Sequence, residues 1–467
     1  MSLAALADAV LLPGFAGTTA PDWVRRRVAG GLGGVVLFAR NCASAPQVAA
    51  LTAALAAERP GVVVATDEEG GDVTRLDAAT GSPVPGAYAL GVVDDVELTR
   101  AVSFAVAERL AAAGVTLNLA PVADVNSAPD NPVIGVRSFG AAPSLVARHV
   151  VAAVAGTQEA GVAGCAKHFP GHGDTTVDSH LGLPTVRDLS LAPFRAAVDA
   201  GVAAVMTGHV VVPGFGPLPA TLNPALVTGL LRESLGFGGA VVSDALEMGA
   251  VAGTVGLGEG AVLALLAGVD ALCLGGDEAG EPIADAARDA LVAAVRSGRL
   301  PEDRLAEAGV RTALLGRPPH PPPPDRGGVE RIGLDAARRA VRAGGEVRVG
   351  PGPVLVELNP AHTIAVGPTA WGLAGLLPGA LECRLGPDDP LPELPAGRPV
   401  VVVARDAARV GWVGRAVDTL LANQPDAVVV EMGLPGQPPA ARGWIATGGA
   451  SRASALATVE LLTGTAP

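Results

Sequence analysis

Residues 34–69 read GVVLFARNCASAPQVAALTAALAAERPGVVVATDEE and contain one complete strand–helix–strand unit. Two short apolar runs, Gly34–Phe38 and Val62–Thr66, flank Ala45–Ala57, whose apolar spacing of three to four residues predicts a helix. Neither run alternates with polar residues, which is typical of parallel strands buried on both faces. The second run ends directly before Asp67–Glu69, so the unit also places acidic side chains at the end of a strand.

The same unit recurs through the first two-thirds of the chain. Further strands are predicted at Val10–Leu12, Val115–Leu119, Gly164–Lys167, Ala203–Thr207, Ala240–Ser243 and Asp270–Leu274. Further helices are predicted at Val96–Ala113, Ser144–Ala160, Leu191–Ala200, Pro224–Ser234, Glu259–Ala267 and Ile283–Ser297. Eight strands alternating with helices predict an α/β fold, a (β/α)8 TIM-type barrel, and a doubly wound open sheet is the alternative.

A proline run, RPPHPPPPD from Arg317 to Asp325, predicts an extended linker. We therefore expect a catalytic barrel at 1–316, a Pro-rich linker at 317–328 and a smaller C-terminal α/β domain at 329–467. In that domain the pattern predicts helices at Leu334–Arg342, Ala407–Leu421 and Ala453–Leu462, and strands at Val354–Leu358, Thr363–Val366, Val400–Val403 and Ala427–Val430. Few titratable groups follow these strands, which favours a structural or interface role.

The composition narrows the classes of partner. Lys and Arg number 33 against 46 Asp and Glu, and this acidic balance argues against a nucleic-acid partner. No apolar run reaches the roughly twenty residues of a membrane span. The start, MSLAALADAVLLPGF, lacks a cationic region, so we expect no signal peptide. We also expect a cytoplasmic location and a monomer or small homo-oligomer. The scattered cysteines predict buried thiols, at Cys42, Cys165, Cys273 and Cys383.

Chemically capable side chains follow five of the predicted strands. They are Asp67–Glu69, Asp124, Lys167–His168, His209 and Asp244. In a barrel these strand ends open on one face, so the side chains should converge on one pocket. The densest group is KHFPGHGDTTVDSH, Lys167–His180, where Pro and Gly rule out a continuous helix.

Two chemistries fit this loop. His168, His172, Asp174, Asp178 and His180 are all possible ligands of a zinc-like ion, which would make the protein a metal-dependent barrel hydrolase. Alternatively, Asp178 could orient His180, whose imidazole can both donate and accept a proton near neutral pH. The residues alone leave both possibilities open.

Seven motifs in order resemble glycoside hydrolase family 3, in its β-N-acetylglucosaminidase branch. Besides KHFPGHGDTTVDSH they are GLGGVVLFARN (31–41), TDEEGGDVTRL (66–76), NLAPVADVN (118–126), IGVRSFG (134–140), VMTGHV (205–210) and VVSDALEMGA (241–250). The resemblance spans the whole predicted barrel. The C-terminal region resembles the α/β sandwich domain of that family without obvious motifs.

The resemblance implies a retaining exo-β-N-acetylglucosaminidase, acting on cell-wall fragments in peptidoglycan recycling or on chitooligosaccharides. It implies Asp244 as nucleophile, His180 as acid/base and Asp178 as its partner. The implied sugar-binding residues are Asp67, Arg75, Arg137, Lys167, His168, Met206 and His209. No metal and no cofactor are expected.

Two residues depart from the family pattern, and several other functions are compatible with the sequence. Glu68 stands where the family often has Gln, and Ala245 where a second Asp is common. Arg75 and Arg137 could instead be ion-pair partners of the acidic loops. The segment GHGDTTV is expected to be a flexible span that lets the dyad move toward Asp244. A phosphorylase using the same residues, a metal-dependent hydrolase and a non-catalytic sugar-binding protein are the alternative functions.

Overall fold

The structure is a computed structural model that describes residues 2–276, 280–317 and 328–465. Most of the linker predicted at 317–328 therefore lies outside the described residues. None of the helices in the described ranges combines the length and apolar character that a membrane span requires.

Eight parallel strands form the first part of the chain, and each overlaps a predicted strand. They are β1 (Leu11–Pro13), β2 (Gly34–Leu37), β3 (Val63–Thr66), β4 (Leu117–Asn118), β5 (Ala163–Phe169), β6 (Ala204–Thr207), β7 (Ala240–Ser243) and β8 (Leu272–Leu274). A six-stranded sheet runs in the order β2-β3-β4-β5-β6-β7, and β1 pairs with β8. A parallel bridge between Val242 and Ala271 links β7 to the residue before β8. The predicted α/β class, with a curled parallel sheet, is confirmed.

Helices connect these strands, and six of the eleven α-helices in the described residues of this part overlap predicted helices. The eleven are α1 (Leu3–Asp8), α2 (Asp22–Ala29), α3 (Ala45–Glu58), α4 (Ala87–Val93), α5 (Val96–Ala112), α6 (Pro143–Glu159), α7 (Ala192–Asp199), α8 (Gly249–Ala252), α9 (Leu257–Ala267), α10 (Glu281–Arg296) and α11 (Glu302–Leu314). The helix predicted at Pro224–Ser234 is wound as a π-helix over Ala225–Ser234. Side-chain hydrogen bonds cap the first turns of α3 and α5. The Ser44 hydroxyl accepts from the Gln47 amide, and Asp95 accepts from the amides of Glu97 and Leu98.

Side chains from both faces of the strands are buried, as continuous apolar runs predict. One face contributes an inner cluster that includes Val36, Ala65, Cys165, Met206 and Cys273, while the other packs against the helices. All four cysteines are free. Cys42 and Cys383 are only partly buried, so the prediction of buried thiols is wrong for these two. Cys165 and Cys273 are buried as predicted, and burial raises the pKa of the Cys165 thiol to about 12. The thiols of the inner cluster are therefore protonated packing groups.

The C-terminal region forms a second α/β layer around a six-stranded sheet. Its elements are α12 (Val329–Ala340), β9 (Arg342–Gly345), β10 (Val354–Leu358), β11 (Leu381–Leu385), β12 (Val400–Ala404), α13 (Gly411–Asn423), β13 (Val428–Glu431), β14 (Gly443–Ala446) and α14 (Arg452–Thr463). The order is β11-β10-β12-β13-β14-β9, with β9 antiparallel to β14.

The strand predicted at Thr363–Val366 is wrong, because these residues form a turn. Thr, Ile and Val favour strands, but Gly367 follows with a φ of 72°, which bends the chain at once. We call Thr363–Val366 the second-domain turn. It lies against the first part of the chain, and its position matters for the site below.

The loop after β3, residues 67–82, is held by the C-terminal region along its length. Asp72 pairs with Arg405 and accepts from the Ala450 amide at 2.7 Å. The Ala370 amide donates to the Ala78 carbonyl at 2.8 Å, and the Arg452 amide to the Ser82 carbonyl at 3.0 Å. These bonds fix the loop between the two units.

Candidate active site

A cavity lies where the strands β2, β3, β5, β6, β7 and β8 end. Most of the residues predicted for the site line it: Asp67, Arg75, Arg137, Lys167, His168, His180, Met206 and Asp244. Asp178 and His209 lie behind this lining. Asp178 contacts the lining residue His180, and His209 contacts the carbonyl of the lining residue Ala245. The convergence of strand ends on one pocket, expected from the sequence pattern, is what the structure shows.

Four charged side chains of alternating sign form one wall of the cavity. Lys167 Nζ lies 2.6 Å from Asp67 and 2.7 Å from Glu69, and Glu69 also accepts two bonds from the Arg137 guanidinium, at 2.7 and 2.9 Å. Burial alone would raise the pKa of Glu69, but Arg137 and Lys167 outweigh it and lower that pKa. We call these four residues the charged wall. Its buried cations are paired, as cations in a dry site must be.

Glu69 belongs to the charged wall, although the family resemblance implies no role for it. Its position among three acidic residues after β3 was a signal, but the pattern could not show which of them faces the cations. Glu68, the departure from the family pattern, points elsewhere: its carboxylate accepts from the amides of Arg75 and Leu76, at 2.8 and 3.0 Å.

Lys167 and His168 are consecutive, yet both line the cavity. In a regular strand successive side chains point to opposite faces. The pairing of β5 with β6 is irregular between Ala166 and Phe169, and this break allows both side chains to reach one side. His168 Nδ1 lies 2.7 Å from Asp124, which also accepts from the backbone amides of His168 and His172. Asp124 thereby orients the ring, leaving Nε2 for a ligand.

Asp244 follows β7 directly and reaches the cavity as a carboxylate. Burial would raise its pKa, but the neighbouring imidazoles His209, His168 and His180, together with the Ala245 amide, lower it to about 2. The Ala245 amide donates to Asp244 Oδ1 at 2.9 Å. At neutral pH the residue is therefore ionised, which a carboxylate nucleophile requires.

Asp178 and His180 form the predicted dyad. His180 Nδ1 lies 2.6 Å from Asp178 Oδ1, and the His180 amide donates to the same oxygen at 3.0 Å. Burial would lower the pKa of His180, but the bond to Asp178 and the charge of Asp244 raise it. The same bonds outweigh burial at Asp178 and lower its pKa. The imidazolium is thus favoured on the side of the cavity that faces the nucleophile.

The loop carrying this dyad is tied down, where a flexible span was expected. His172 bridges Thr175 and Ser179 through its two ring nitrogens, at 2.7 and 3.0 Å. The His180 carbonyl accepts from the Gly249 amide at 3.2 Å, next to the segment that follows Asp244. Burial lowers the pKa of His172 to about 4, so the ring holds these bonds in its neutral form. The dyad is therefore held beside the segment that follows Asp244.

Arg75 and His209 hydrogen-bond to other groups of the protein. The Arg75 guanidinium donates to the carbonyls of Val366 and Ala365 at 2.9 and 3.0 Å, and lies 3.7 Å from Asp67. His209 contacts the Thr221 hydroxyl at 2.8 Å and the Ala245 carbonyl at 2.9 Å. The geometry thus favours positioning roles for both. Their sugar-binding roles stay predictions.

Metal ligation would need a cluster of free donors. Among the residues that the structure describes, no group of three or more His, Cys, Asp or Glu is arranged to hold a metal ion. The two nitrogens of His172 are both occupied, and Asp174 accepts from the amides of Arg187 and Asp188.

Residues 20–315 match the family model described as glycosyl hydrolase family 3 N terminal domain, which covers more than half of the chain. The chain belongs to glycosyl hydrolase family 3. It is therefore a glycoside hydrolase, and the family predicted from the motifs is confirmed.

Relatives of known name and structure agree with this membership. The chain is 39% identical to a beta-hexosaminidase of Alkalilimnicola ehrlichii over 52% of its length and 73% of the relative. It is 36% identical to beta-hexosaminidase A of Pseudoalteromonas piscicida over 51% of its length, and spans only 45% of that longer protein. A family 3 beta-N-acetylglucosaminidase from Paenibacillus sp. FPU-7 superposes with a TM-score of 0.87 at 32% identity, covering 100% of this chain and 97% of that one.

Proposed function

We propose that the protein is a retaining exo-β-N-acetylglucosaminidase that removes terminal non-reducing β-linked N-acetylglucosamine from cell-wall fragments or chitooligosaccharides. The observation that carries the proposal is that an ionised Asp244 and a His180 of raised pKa line the same cavity. Relatives named beta-hexosaminidase and the similar β-N-acetylglucosaminidase structure support the choice of sugar.

The reaction then runs in two displacements. In the first, an Asp244 oxygen attacks the anomeric carbon while protonated His180 gives its proton to the leaving oxygen, which yields a glycosyl–aspartate ester. In the second, neutral His180 takes a proton from water, the water oxygen attacks the anomeric carbon, and the Asp244 carboxylate leaves. Asp178 stabilises the imidazolium at both ends of the cycle. Most retaining glycosidases use a second carboxyl group for this task, so the dyad is a variation on the two-carboxylate scheme.

The same proposal includes a complete (β/α)8 barrel followed by an α/β sandwich domain. The six-stranded sheet, the β1–β8 pairing and the bridge from Val242 to Ala271 support closure into a ring. The layer built on β10–β14 supports the sandwich.

Transfer to phosphate is the alternative reaction, and the charges of the cavity favour water. Each cation that lines the cavity already has a partner: Lys167 and Arg137 share Glu69, and Arg75 binds two carbonyls. Asp67 and Glu69 add negative charge to the same space. A phosphate dianion would meet repulsion from these carboxylates.

The test uses 4-nitrophenyl β-N-acetylglucosaminide, with and without phosphate. We expect free N-acetylglucosamine as product, a rate independent of phosphate, and loss of nearly all activity in Asp244→Asn, whereas the exposed control Asp289→Asn keeps it. Mass spectrometry of protein quenched during turnover should find the sugar on the peptide that contains Asp244. Sugar-1-phosphate as the product, or a sugar on another carboxylate, would overturn the proposal.

A further inference from the structure

We propose that the second-domain turn, Thr363–Val366, is the end wall of the sugar site and blocks any substituent on the C4 oxygen. This inference rests on the proposed function and adds the element that restricts the enzyme to terminal residues. It assigns a specificity role to a region from which only a structural or interface role was expected.

The orientation of the sugar follows from the places of the reacting groups. The anomeric carbon has to lie between Asp244 and His180. Asp244 follows β7, whereas Asp67 and Arg75 belong to the loop after β3, four positions away in the curled sheet. Strands that far apart face each other across the mouth of the cavity. Because C1 and C4 lie at opposite ends of a pyranose ring, the C4 end points toward Arg75.

The second-domain turn lies at that C4 end. Its Ala365 and Val366 carbonyls accept the two guanidinium bonds of Arg75, and Ile364 and Ala365 line the cavity. Ala365 also packs against an apolar cluster of the barrel formed by Val122, Val133 and Ile134. The two side chains that the turn contributes to the cavity lining, Ile364 and Ala365, are therefore apolar.

The wall is also held in place. The loop that carries Asp67 and Arg75 is bonded to the C-terminal region through Asp72, which pairs with Arg405 and accepts from the Ala450 amide. A further bond joins the Ala370 amide, four residues beyond the turn, to the Ala78 carbonyl. A wall fixed in this way can reject a longer substrate by steric exclusion, because yielding would break these bonds.

The test compares three substrates with the same 4-nitrophenyl leaving group: the β-N-acetylglucosaminide, its 4-O-methyl derivative and the β-glucoside. A pocket discriminates one extra methylene-sized group by about 10–200-fold, and we expect wild type to disfavour the 4-O-methyl compound by that order in kcat/KM. In Ile364→Ala the discrimination should fall to a few-fold. Ile364 is 44% exposed, so the variant should fold. Leu391→Ala, 36% exposed and outside the cavity, is the matched control and should keep the wild-type ratio.

The outcomes separate this inference from the proposed function. If wild type fails to cleave the N-acetylglucosaminide, the proposed function is wrong. If wild type cleaves it but Ile364→Ala leaves the 4-O-methyl ratio unchanged, the end wall is wrong. If Ile364→Ala instead alters the ratio between the N-acetylglucosaminide and the glucoside, the turn faces C2, and the inference is equally overturned.

Discussion

The charged wall makes a strong prediction for Glu69→Gln, which removes one negative charge and keeps the shape. Glu69, Arg137 and Lys167 are 7%, 6% and 2% exposed in their side chains, so water cannot replace the lost charge. Removing one partner of a buried ion pair costs about 3–5 kcal/mol. Since Asp67 still binds Lys167 and the Gln oxygen still accepts one bond, we expect the lower end, about 3 kcal/mol of unfolding free energy.

The matched control is Glu259→Gln, which breaks an exposed pair with Arg299. Those side chains are 38% and 46% exposed, and such exposed pairs contribute little to stability. Urea unfolding followed by circular dichroism at pH 7 measures both variants. KM for the chromogenic N-acetylglucosaminide should also rise in Glu69→Gln, because Lys167 loses one of its two anchors. Equal stability of the two variants would refute the reasoning.

The pH dependence of this loss has a definite sign. The pKa of Glu69 is lowered in the folded state relative to the unfolded value of about 4.3. Its contribution is therefore present above that value and is lost as the pH falls through the folded pKa. The difference between wild type and Glu69→Gln should be complete at pH 7 and should shrink in strongly acidic buffer.

Two further predictions concern the dyad and the second-domain turn. Asp178→Asn removes the bond that raises the pKa of His180, so the alkaline limb of the pH profile of kcat should move to lower pH and kcat should fall. The control is Asp174→Asn, in the same loop but without a bond to His180, and it should leave the alkaline limb in place. Gly367→Ala places a Cβ at a φ of 72° beside the carbonyls that hold Arg75, so KM should rise several-fold with little change in kcat. Gly375→Ala, at a φ of 74° with nothing within 4 Å of its Cβ, imposes the same strain elsewhere, and an equal rise in KM there would contradict the argument.

The first part of the fold could be predicted because its strands are buried on both faces, which leaves a continuous apolar run in the sequence. The placement of Asp244 and Lys167 at strand ends followed from the same pattern. Strand β11 was not predicted, because it is exposed along most of its length and reads LECRL, with charges among its apolar residues. Strand β14, GWIA, is too short to be told from a loop by its pattern.

Contacts between distant segments account for what the pattern missed at the site. Glu69 forms ion pairs with Arg137 and Lys167, which lie 68 and 98 residues away in the sequence. No local sequence pattern indicates such long-range pairs. Thr363–Val366 has the composition of a strand, but its carbonyls serve Arg75 instead of a neighbouring strand. The dyad loop contains the glycines of a flexible segment, yet His172 and Asn131 tie it through side-chain bonds that composition does not reveal.

The attachment of the loop 67–82 to the C-terminal region has a consequence for heat inactivation. Arg75 and Asp72 lose their partners as soon as that region melts, even where the barrel around them is intact. Catalysis should then disappear at the melting transition of the C-terminal region, and a calorimetric trace that resolves two transitions should show activity following the one that releases these bonds. The smaller, C-terminal part of the molecule, without a proposed catalytic side chain, would thereby set the temperature limit of the enzyme.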